Sequence, residues 1–269
     1  MKKTSLIRVA SGDKIKLRDI DTRASGDYQN KEETFERLAK LQARFAELQE
    51  VLYAENKRSV LLVFQAMDTG GKDGAVKSLM MGVNPAGVHV TSFKAPSTEE
   101  LDHDFLWRIH HSVPQRGVIG VWNRSHYEDV LIVRVHKLIE KATWLQRYDD
   151  INNFEKLLAN NGVTMLKFFL HISKDEQKER LQARLDDPEK TWKFNVGDLA
   201  ERKLWDDYQK AYEDAINSCS TDHAPWLIVP ADRKWARNIA VAEVVVEAME
   251  KLKVKFPQAD FDPKTIVID

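Results

Sequence analysis

One glycine-rich segment of the chain combines a lysine with two aspartates, directly after an apolar run. The run ends at Gln65, and the segment reads Asp68-Thr-Gly-Gly-Lys-Asp-Gly74. Its glycines allow a tight turn without side-chain clash, and the free N–H groups of a helix beginning behind it would face an anion. Lys72 adds a mobile charge that follows a phosphoryl group between donor and acceptor. The pattern predicts a phosphate-binding loop, whose contacts we assign to Thr69, Gly70, Gly71, Lys72, Asp73 and Gly74.

Two positions of this segment depart from the general pattern G-x-x-x-x-G-K-[ST]. Ala66 stands where the first glycine would be, and Asp73 stands where a Ser or Thr normally contacts Mg²⁺. We therefore expect a magnesium ion held by Asp68, with Asp73 or Glu128 as the candidate second ligand. The plainer alternative is a glycine-rich turn between a strand and a helix, with a surface lysine.

A second polar cluster follows another apolar run, residues 116–122. It contains Asn123, Arg124 and Glu128, at the end of a core strand, where open α/β sheets place their chemistry. Arg124 can bind phosphate through paired N–H donors. Asn123 supplies a neutral amide where enzymes with such loops usually have a metal-supporting Asp, and we assign it to phosphate. The alternative is a plain helix start, with Ser125 as its cap and Glu128 as the capping-box partner.

A third cluster interrupts regular structure over residues 186–200. It mixes charged residues with aromatic ones, and we interpret it as a lid that closes over the site and excludes water. Its expected contacts are Lys190, Trp192 and Lys193. Arg180 and Arg184 precede it four residues apart, so they share a helix face and can present two guanidinium groups to one anion. The alternative is ordinary solvation of an amphipathic helix.

The last predicted helix has an unusual start. It begins with Arg233, Lys234 and Arg237, although the first turn of a helix favours acidic residues. An extended polyanion that passes the start of this helix would make use of the inversion. A solvated basic turn is the equal alternative.

The composition excludes several classes of protein. Lys plus Arg number 41 and Asp plus Glu number 42, so no global basic field is available for nonspecific nucleic-acid binding. The single Cys219 excludes an intramolecular disulfide and lacks the spacing of a metal site. The first residues lack the apolar core of a signal peptide, and no stretch approaches the roughly 20 apolar residues of a membrane span. We expect a cytoplasmic protein without membrane or nucleic-acid partners.

Hydrophobic periodicity predicts an alternating series of strands and helices. Predicted strands cover residues 59–65, 88–93, 116–122, 163–171 and 226–230. Predicted helices cover residues 31–56, 74–81, 98–108, 130–160, 173–185, 199–217 and 233–253. Alternation of this kind argues for an α/β fold in which helices cover both faces of a parallel sheet.

The predicted elements form one domain over residues 1–269. Residues 1–30 are interpreted as an N-terminal arm lying on the body, and residues 257–269 as a loose C-terminal tail. The helix over residues 31–56 has an apolar face large enough for either an intrachain core or a subunit interface. We expect a homo-oligomer.

The loop, the second cluster and the lid, taken together, closely resemble polyphosphate kinase family 2. The three motifs are Gln65-Ala-Met-Asp-Thr-Gly-Gly-Lys-Asp-Gly74, Trp122-Asn-Arg-Ser-His-Tyr-Glu128 and Asp187-Pro-Glu-Lys-Thr-Trp-Lys193. The resemblance covers about residues 30–255. It implies a three-layer α/β/α P-loop kinase fold, like that of thymidylate kinase, with a central parallel sheet and a helical lid. It also implies Mg²⁺ dependence and reversible phosphoryl transfer between inorganic polyphosphate and a nucleotide.

The resemblance also implies roles for individual residues. The implied catalytic residues are Asp68, Lys72, Arg124, Arg184 and Glu128. Asp68 matches the loop acid needed for metal and phosphate, and Arg184 matches the lid arginine. Many members of the family have Asp in place of Asn123, which leaves the metal to Asp68 and its neighbouring carboxylates. An acid at Glu128 is typical of the class III branch, which is associated with phosphorylation of both AMP and ADP.

We therefore expect conversion of AMP to ADP and of ADP to ATP at the expense of polyphosphate, with the nucleotide-making direction favoured. Holding two polyanions in line and neutralising the charge between them requires no covalent intermediate. The nearest alternative is an ATP-dependent kinase of a nucleoside monophosphate or another small molecule. A noncatalytic phosphate or nucleotide sensor is the second alternative.

Overall fold

The computed structural model describes residues 2–268, and its centre is a six-stranded sheet in the order β1-β6-β5-β2-β4-β3. The strands are β1 (Ile7–Arg8), β2 (Ser59–Gln65), β3 (Val88–Ser92), β4 (Ile119–Asn123), β5 (Val163–His171) and β6 (Trp226–Pro230). Every neighbouring pair is parallel except β1 and β6, which are antiparallel. The predicted parallel sheet is therefore confirmed and carries one antiparallel edge strand.

Helices follow the strands along the chain. Their bounds are α1 (Glu32–Glu55), α2 (Lys72–Leu79), α3 (Thr98–Leu101), α4 (Trp107–His110), α5 (Ile132–Val135), α6 (Lys141–Asn160), α7 (Lys174–Asp186), α8 (Gly197–Lys203), α9 (Trp205–Cys219) and α10 (Lys234–Lys251). No helix within residues 2–268 combines the length and the apolar composition that crossing a bilayer requires.

Strand β2 lies at the middle of the sheet and is buried on both faces. All seven of its residues are buried, and alternate side chains enter two different cores. Val60, Leu62 and Phe64 belong to the larger core, whereas Leu61 and Val63 pack with residues of α4 and α6. A continuous apolar strand of this kind is typical of a parallel sheet covered by helices on both sides.

The apolar face of α1 is used within the chain. Leu41, Phe45, Leu48 and Leu52 are buried and pack in the larger core, where α1 lies against α10. Of the two options left open by the sequence, an intrachain core and a subunit interface, the apolar face of α1 therefore packs in the intrachain core. The homo-oligomer stays a prediction.

Several boundaries predicted from the sequence were wrong. The helix predicted over residues 98–108 is two short helices, and the one predicted over 199–217 is divided between α8 and α9 at Leu204, whose ψ of 18° is not helical. The long helix predicted from residue 130 starts only at Lys141. The strand predicted from residue 116 starts at Ile119, because Gly117 turns with a φ of +79°.

The N-terminal arm also differs from expectation. It contributes β1, a strand of two residues that is too short to show periodicity in the sequence. Ser173 caps α7 by accepting from the Glu176 N–H, and the Glu176 carboxylate binds Arg180. Ser125 accepts from the N–H of Tyr127 and caps a 3-10 turn over His126–Asp129.

A buried polar network joins β5 to α6 directly behind this turn. Lys167 Nζ donates to Glu155 Oε2 (2.6 Å), to the hydroxyl of Tyr127 (2.8 Å) and to the carbonyl of Cys219 (2.6 Å). Lys167 and Glu155 are both fully buried. Because a buried charge without its partner is costly, each of these two groups makes the other tolerable.

Removal of one charge from this network should destabilise the protein strongly. Lys167→Met is expected to lower the free energy of unfolding by about 3–5 kcal/mol in chemical denaturation, because it leaves the Glu155 carboxylate buried without its cation. The double variant Lys167→Met/Glu155→Leu should recover at least half of the loss. Lys156→Met, at an exposed lysine of α6, is the control. If Lys167→Met changed the free energy of unfolding as little as Lys156→Met, the assignment would be contradicted.

Candidate active site

The glycine-rich segment forms a loop between β2 and α2 at the carboxyl edge of the sheet. α2 begins at Lys72, two residues before the predicted start, so the helix N-terminus follows the loop immediately. Thr69 and Gly71 have φ values of +61° and +93°. A side chain on Gly71 would place its Cβ 2.1 Å from a guanidinium nitrogen of Arg237, so this position requires glycine both for its backbone and for space.

The side chain of Lys72 is hydrogen-bonded to the backbone at the start of the loop. Its Nζ donates to the carbonyl of Ala66 (3.1 Å), which also accepts from the hydroxyl of Tyr212 (3.1 Å). Burial, and next the charge of Arg124, lower the pKa of Lys72. The residue that replaces the first glycine of the general pattern thus supplies the carbonyl that orients the lysine.

Arg124 and Asp68 meet where two neighbouring strands end. β2 and β4 pair in parallel, and Arg124 N donates to the carbonyl of Phe64 (3.1 Å). Arg124 has a φ of +63°, and its guanidinium donates to Asp68 Oδ1 (3.2 Å). Burial acts to lower the pKa of Arg124, but the charges of Glu128 and Asp68 raise it above its ordinary value. The arginine is therefore a fixed cation beside the loop acid.

The two departures from the general loop pattern contact each other. Asn123 Nδ2 donates to Asp73 Oδ1 at 2.6 Å. A carboxylate at position 123 could not donate this hydrogen bond and would repel Asp73. The amide at the strand end and the acid in the loop therefore form a matched pair.

Glu128 lies on the 3-10 turn after β4 and faces the site. When the side-chain amide nitrogen of Gln65 faces Glu128, it donates to Glu128 Oε1 (3.1 Å). The amide oxygen of Gln65 then accepts from Ser125 N (3.2 Å). Burial raises the pKa of Glu128, although Arg124 and Lys72 act to lower it. Glu128 is thus bound by the end of β2 and does not close the predicted capping box with Ser125.

Two cavities meet at the loop acid. The first, of about 430 Å³, is bordered by the whole loop and by cations, namely Lys72, Arg124, Arg180, Arg184, Lys190, Lys193 and Lys234. The second, of about 230 Å³, is bordered by acids and tyrosines, namely Glu128, Glu201, Tyr208 and Tyr212. Asp68, Arg124 and Asp198 border both cavities. The geometry therefore provides a basic cavity and an acidic one with a common boundary.

The lid residues lie across the basic cavity. Arg184 donates to the carbonyl of Lys193 (2.9 Å) and lies 3.7 Å from Asp198. Lys190 pairs with Asp187. Trp192 is 77% exposed and borders neither cavity, although the ammonium group of Lys193 lies 4.9 Å from its ring centre. The structure thus brings Arg184, Lys190 and Lys193 to the site and leaves Trp192 outside it.

Two buried arginines, Arg180 and Arg237, support the loop from below, and sequence reasoning missed this role. Arg180 donates to the carbonyls of Thr69 (3.0 Å) and Ala231 (2.6 Å), and Arg237 donates to the carbonyl of Gly71 (3.1 Å). Burial, and next Arg180, lower the pKa of Arg237 to about 10. Arg180 also borders the basic cavity together with Arg184, so the expectation that the two face one anion stays a prediction. Contacts to carbonyls leave no residue-type signal in a sequence.

The carboxylates at the common boundary could hold a divalent cation together with substrate. Burial raises the pKa values of Glu128 and Asp198, and the charge of Asp68 raises both further. Within residues 2–268 no group of three or more metal-ligating side chains forms a complete site. This donor set fits Mg²⁺, which commonly takes one or two carboxylates and completes its shell with phosphate oxygens and water.

Comparisons with known proteins agree with the geometry. The profile of the family described as Polyphosphate kinase 2 (PPK2) matches residues 28–257. A protein of Meiothermus ruber named AMP/ADP-polyphosphate phosphotransferase is 49% identical over 97% of this chain and 98% of its own length. A protein of Rhodopseudomonas palustris named ADP-polyphosphate phosphotransferase is 47% identical over 95% of this chain and 93% of its own length.

A solved structure shows the same fold. The crystal structure of polyphosphate kinase 2 from Arthrobacter aurescens TC1 superimposes with a TM-score of 0.92 and 48% identity. The alignment covers 96% of this chain and 92% of the Arthrobacter chain. The predicted three-layer α/β/α P-loop kinase fold is confirmed.

The charge of Glu128 should cost the folded protein stability at neutral pH. Folding raises the pKa of Glu128, so the ionised carboxylate destabilises the folded state at pH values above that raised pKa. At low pH the group is protonated in both the folded and the unfolded state, and this cost disappears. Glu128→Gln is therefore expected to raise Tm by a few degrees at pH 8, with the gain shrinking toward pH 4. Glu179→Gln, at an exposed acid, should show no such trend. If the difference in Tm between Glu128→Gln and wild type were less favourable to the variant at pH 8 than at pH 4, this assignment would be contradicted.

Proposed function

The chain belongs to the polyphosphate kinase 2 family and is a phosphotransferase, and we propose that it moves phosphoryl groups from inorganic polyphosphate to AMP and ADP. The products are ADP and ATP, and the transfer is reversible. The Meiothermus ruber relative is named for both acceptors and the Rhodopseudomonas palustris relative for ADP. The acid at Glu128 supports the assignment to both acceptors.

The observation that carries the proposal is the pair of cavities that meet at Asp68 and Arg124. A donor and an acceptor, each a polyanion, need separate binding surfaces and a common point where the phosphoryl group passes. The basic cavity suits a chain of phosphates, because lysines and arginines surround it. The acidic cavity, with its two tyrosine rings, suits a nucleotide accompanied by a cation.

Each proposed catalytic side chain has a distinct task. Lys72, held at the loop carbonyl of Ala66, follows the transferred group. Arg124 borders both cavities and neutralises charge between the attacking and leaving oxygens. Arg184 closes the basic cavity from the lid and excludes water. Asp68 orients Arg124 and the acceptor phosphate, so transfer needs no covalent intermediate.

We propose Mg²⁺ as the metal ion, with Asp68 as its first ligand. Acids border the acceptor cavity, so a nucleotide phosphate entering it requires a compensating cation. Glu128 faces the same cavity and is the stronger candidate for second ligand, because Asp73 is already bound by Asn123. When bound, the ion supplies charge neutralisation between the two polyanions.

We also propose a cytoplasmic location and a homo-oligomeric state. Cys219 is fully buried, and burial raises the pKa of its thiol to about 12, so this thiol suits a reducing compartment without being reactive. The oligomer is supported by exposed apolar side chains such as Met81 and Leu101.

One assay separates the donor proposed here from the nearest alternative. Purified protein with AMP, Mg²⁺ and polyphosphate should give ADP and ATP by chromatography. Asp68→Asn and Lys72→Ala should each reduce turnover by more than about 100-fold without lowering Tm, because each removes a charge at the transfer point. Asp222→Asn and Lys77→Ala, at exposed positions, are the matched controls. Turnover with ATP alone as donor would support an ATP-dependent kinase, and binding without any turnover would support a sensor.

Glu128→Asn should separate the two acceptors. AMP has one phosphate fewer than ADP, so its ribose must lie one phosphate unit nearer Asp68 when its terminal phosphate is in place. Groups of the acceptor cavity near Asp68, such as Glu128, should therefore matter more to the binding of AMP than to that of ADP. We expect kcat/KM for AMP to fall about tenfold more than kcat/KM for ADP, a difference of about 1.4 kcal/mol. Equal losses for AMP and ADP would contradict the role of Glu128 in acceptor choice.

A further inference from the structure

We infer that a long polyphosphate chain continues past the basic cavity into a second groove, which binds phosphate units remote from the reaction. This inference rests on the proposed function and names a further binding site for its donor. The groove has a volume of about 460 Å³ and lies between the starts of α1 and α10. We call it the α1/α10 groove and define it by Lys31, Phe35, Arg233, Lys234, Trp235 and Asn238.

The cations of the α1/α10 groove have no carboxylate partner. Within residues 2–268 no carboxylate oxygen lies within 4 Å of the charged groups of Lys31, Arg233 or Lys234. Lys31 Nζ lies 5.3 Å from the ring centre of Phe35, and Arg233 lies 5.9 Å from that of Trp235. Cations stacked on rings remain free to bind an anion.

One acid borders the groove, and it is already satisfied. Asp232 is 7% exposed, its Oδ2 accepts from the hydroxyl of Thr22 (2.7 Å), and its Oδ1 accepts from the N–H of Ser173 (2.8 Å). The guanidinium of Arg233 donates to the hydroxyl of Ser25 (3.0 Å), a neutral partner. Lys31, Arg233 and Lys234 therefore outnumber Asp232, and the groove keeps a net positive charge.

The α1/α10 groove and the basic cavity share one bordering residue. Lys234 borders both. One turn further along α10, Asn238 Oδ1 accepts from two nitrogens of Arg237 (3.0 and 2.7 Å), and another nitrogen of Arg237 binds the carbonyl of Gly71 in the loop. The groove and the phosphate-binding loop are therefore linked through Arg237 and Asn238.

The start of α10 adds to the same field. The helix has 18 residues, no acid in its first turn and no side-chain cap at Arg233. Its N-terminal N–H groups and dipole are positive, so the basic residues placed there oppose helix stability. A chain of phosphates lying along the groove would turn this repulsion into attraction. The cavity, the unpaired cations and the helix start thus indicate one kind of ligand, an extended polyanion.

The inference predicts a dependence on the length of the donor. A short donor such as tripolyphosphate is held in the basic cavity alone, whereas a long chain contacts both surfaces. Lys31→Gln/Arg233→Gln removes the two cations that lie outside the basic cavity. We expect its KM for long-chain polyphosphate to rise about tenfold, since two exposed charge contacts are each worth up to about 1 kcal/mol. Its kcat/KM for tripolyphosphate should stay within about twofold of wild type.

Lys40→Gln/Lys251→Gln is the matched control, because it removes the same charge from exposed positions of α1 and α10 remote from the groove. It should leave both donors unaffected. An unchanged KM for long chains in the groove variant, or an equal loss with tripolyphosphate, would overturn the inference while leaving the proposed function intact. Absence of turnover with either donor in the wild-type protein would overturn both. Turnover with tripolyphosphate also reports that the groove variant is folded.

Discussion

The phosphate-binding loop keeps its shape because two buried guanidinium groups hold its carbonyls from below. Arg180 and Arg237 lie side by side, and their contacts to Thr69 and Gly71 fix two of the loop's peptide units. A guanidinium has five donors in a rigid, planar arrangement, so it can bind several carbonyls in a fixed geometry. The same groups add positive charge beneath the loop. The positions of the other groups of the site depend on a loop that is fixed in this way.

Around that loop, the charges are arranged to keep two polyanions apart until transfer. The cations lie on the loop, lid and α10 side, and the acids lie on the acceptor side. Asp68 and Arg124 form the boundary between them. The loop carries a carboxylate at Asp73 because the neighbouring strand ends in an amide at Asn123. The protein therefore holds most of the charges of the site in place by itself.

Much of the fold could be predicted from the sequence, because burial leaves a strong pattern. The limits of β2, β5 and β6 agree with prediction to the residue, since each strand is almost entirely buried and bounded by turn residues or charged helices. β1 could not be predicted, because its two residues pair with β6 through backbone hydrogen bonds that any side chains allow. The break at Leu204 depends on tertiary packing and shows no proline or glycine.

The candidate site was predictable only where function requires a particular residue type. The glycines, Lys72 and Arg124 show in the sequence because few other residues could replace them. The roles of Arg180 and Arg237 depend on carbonyls brought close by the fold, and the pairing of Asn123 with Asp73 joins residues 50 positions apart. The role of Glu128 in the site stays a prediction from the sequence, and its hydrogen bond to Gln65 required the structure.

In the proposed reaction, donor and acceptor occupy their two cavities at the same time and exchange a phosphoryl group directly. Initial rates measured with AMP varied at several fixed concentrations of polyphosphate test it most directly. Simultaneous occupancy predicts double-reciprocal lines that intersect, because the reaction waits for both substrates. Parallel lines would show that the donor leaves before the acceptor binds, and this result would contradict the account.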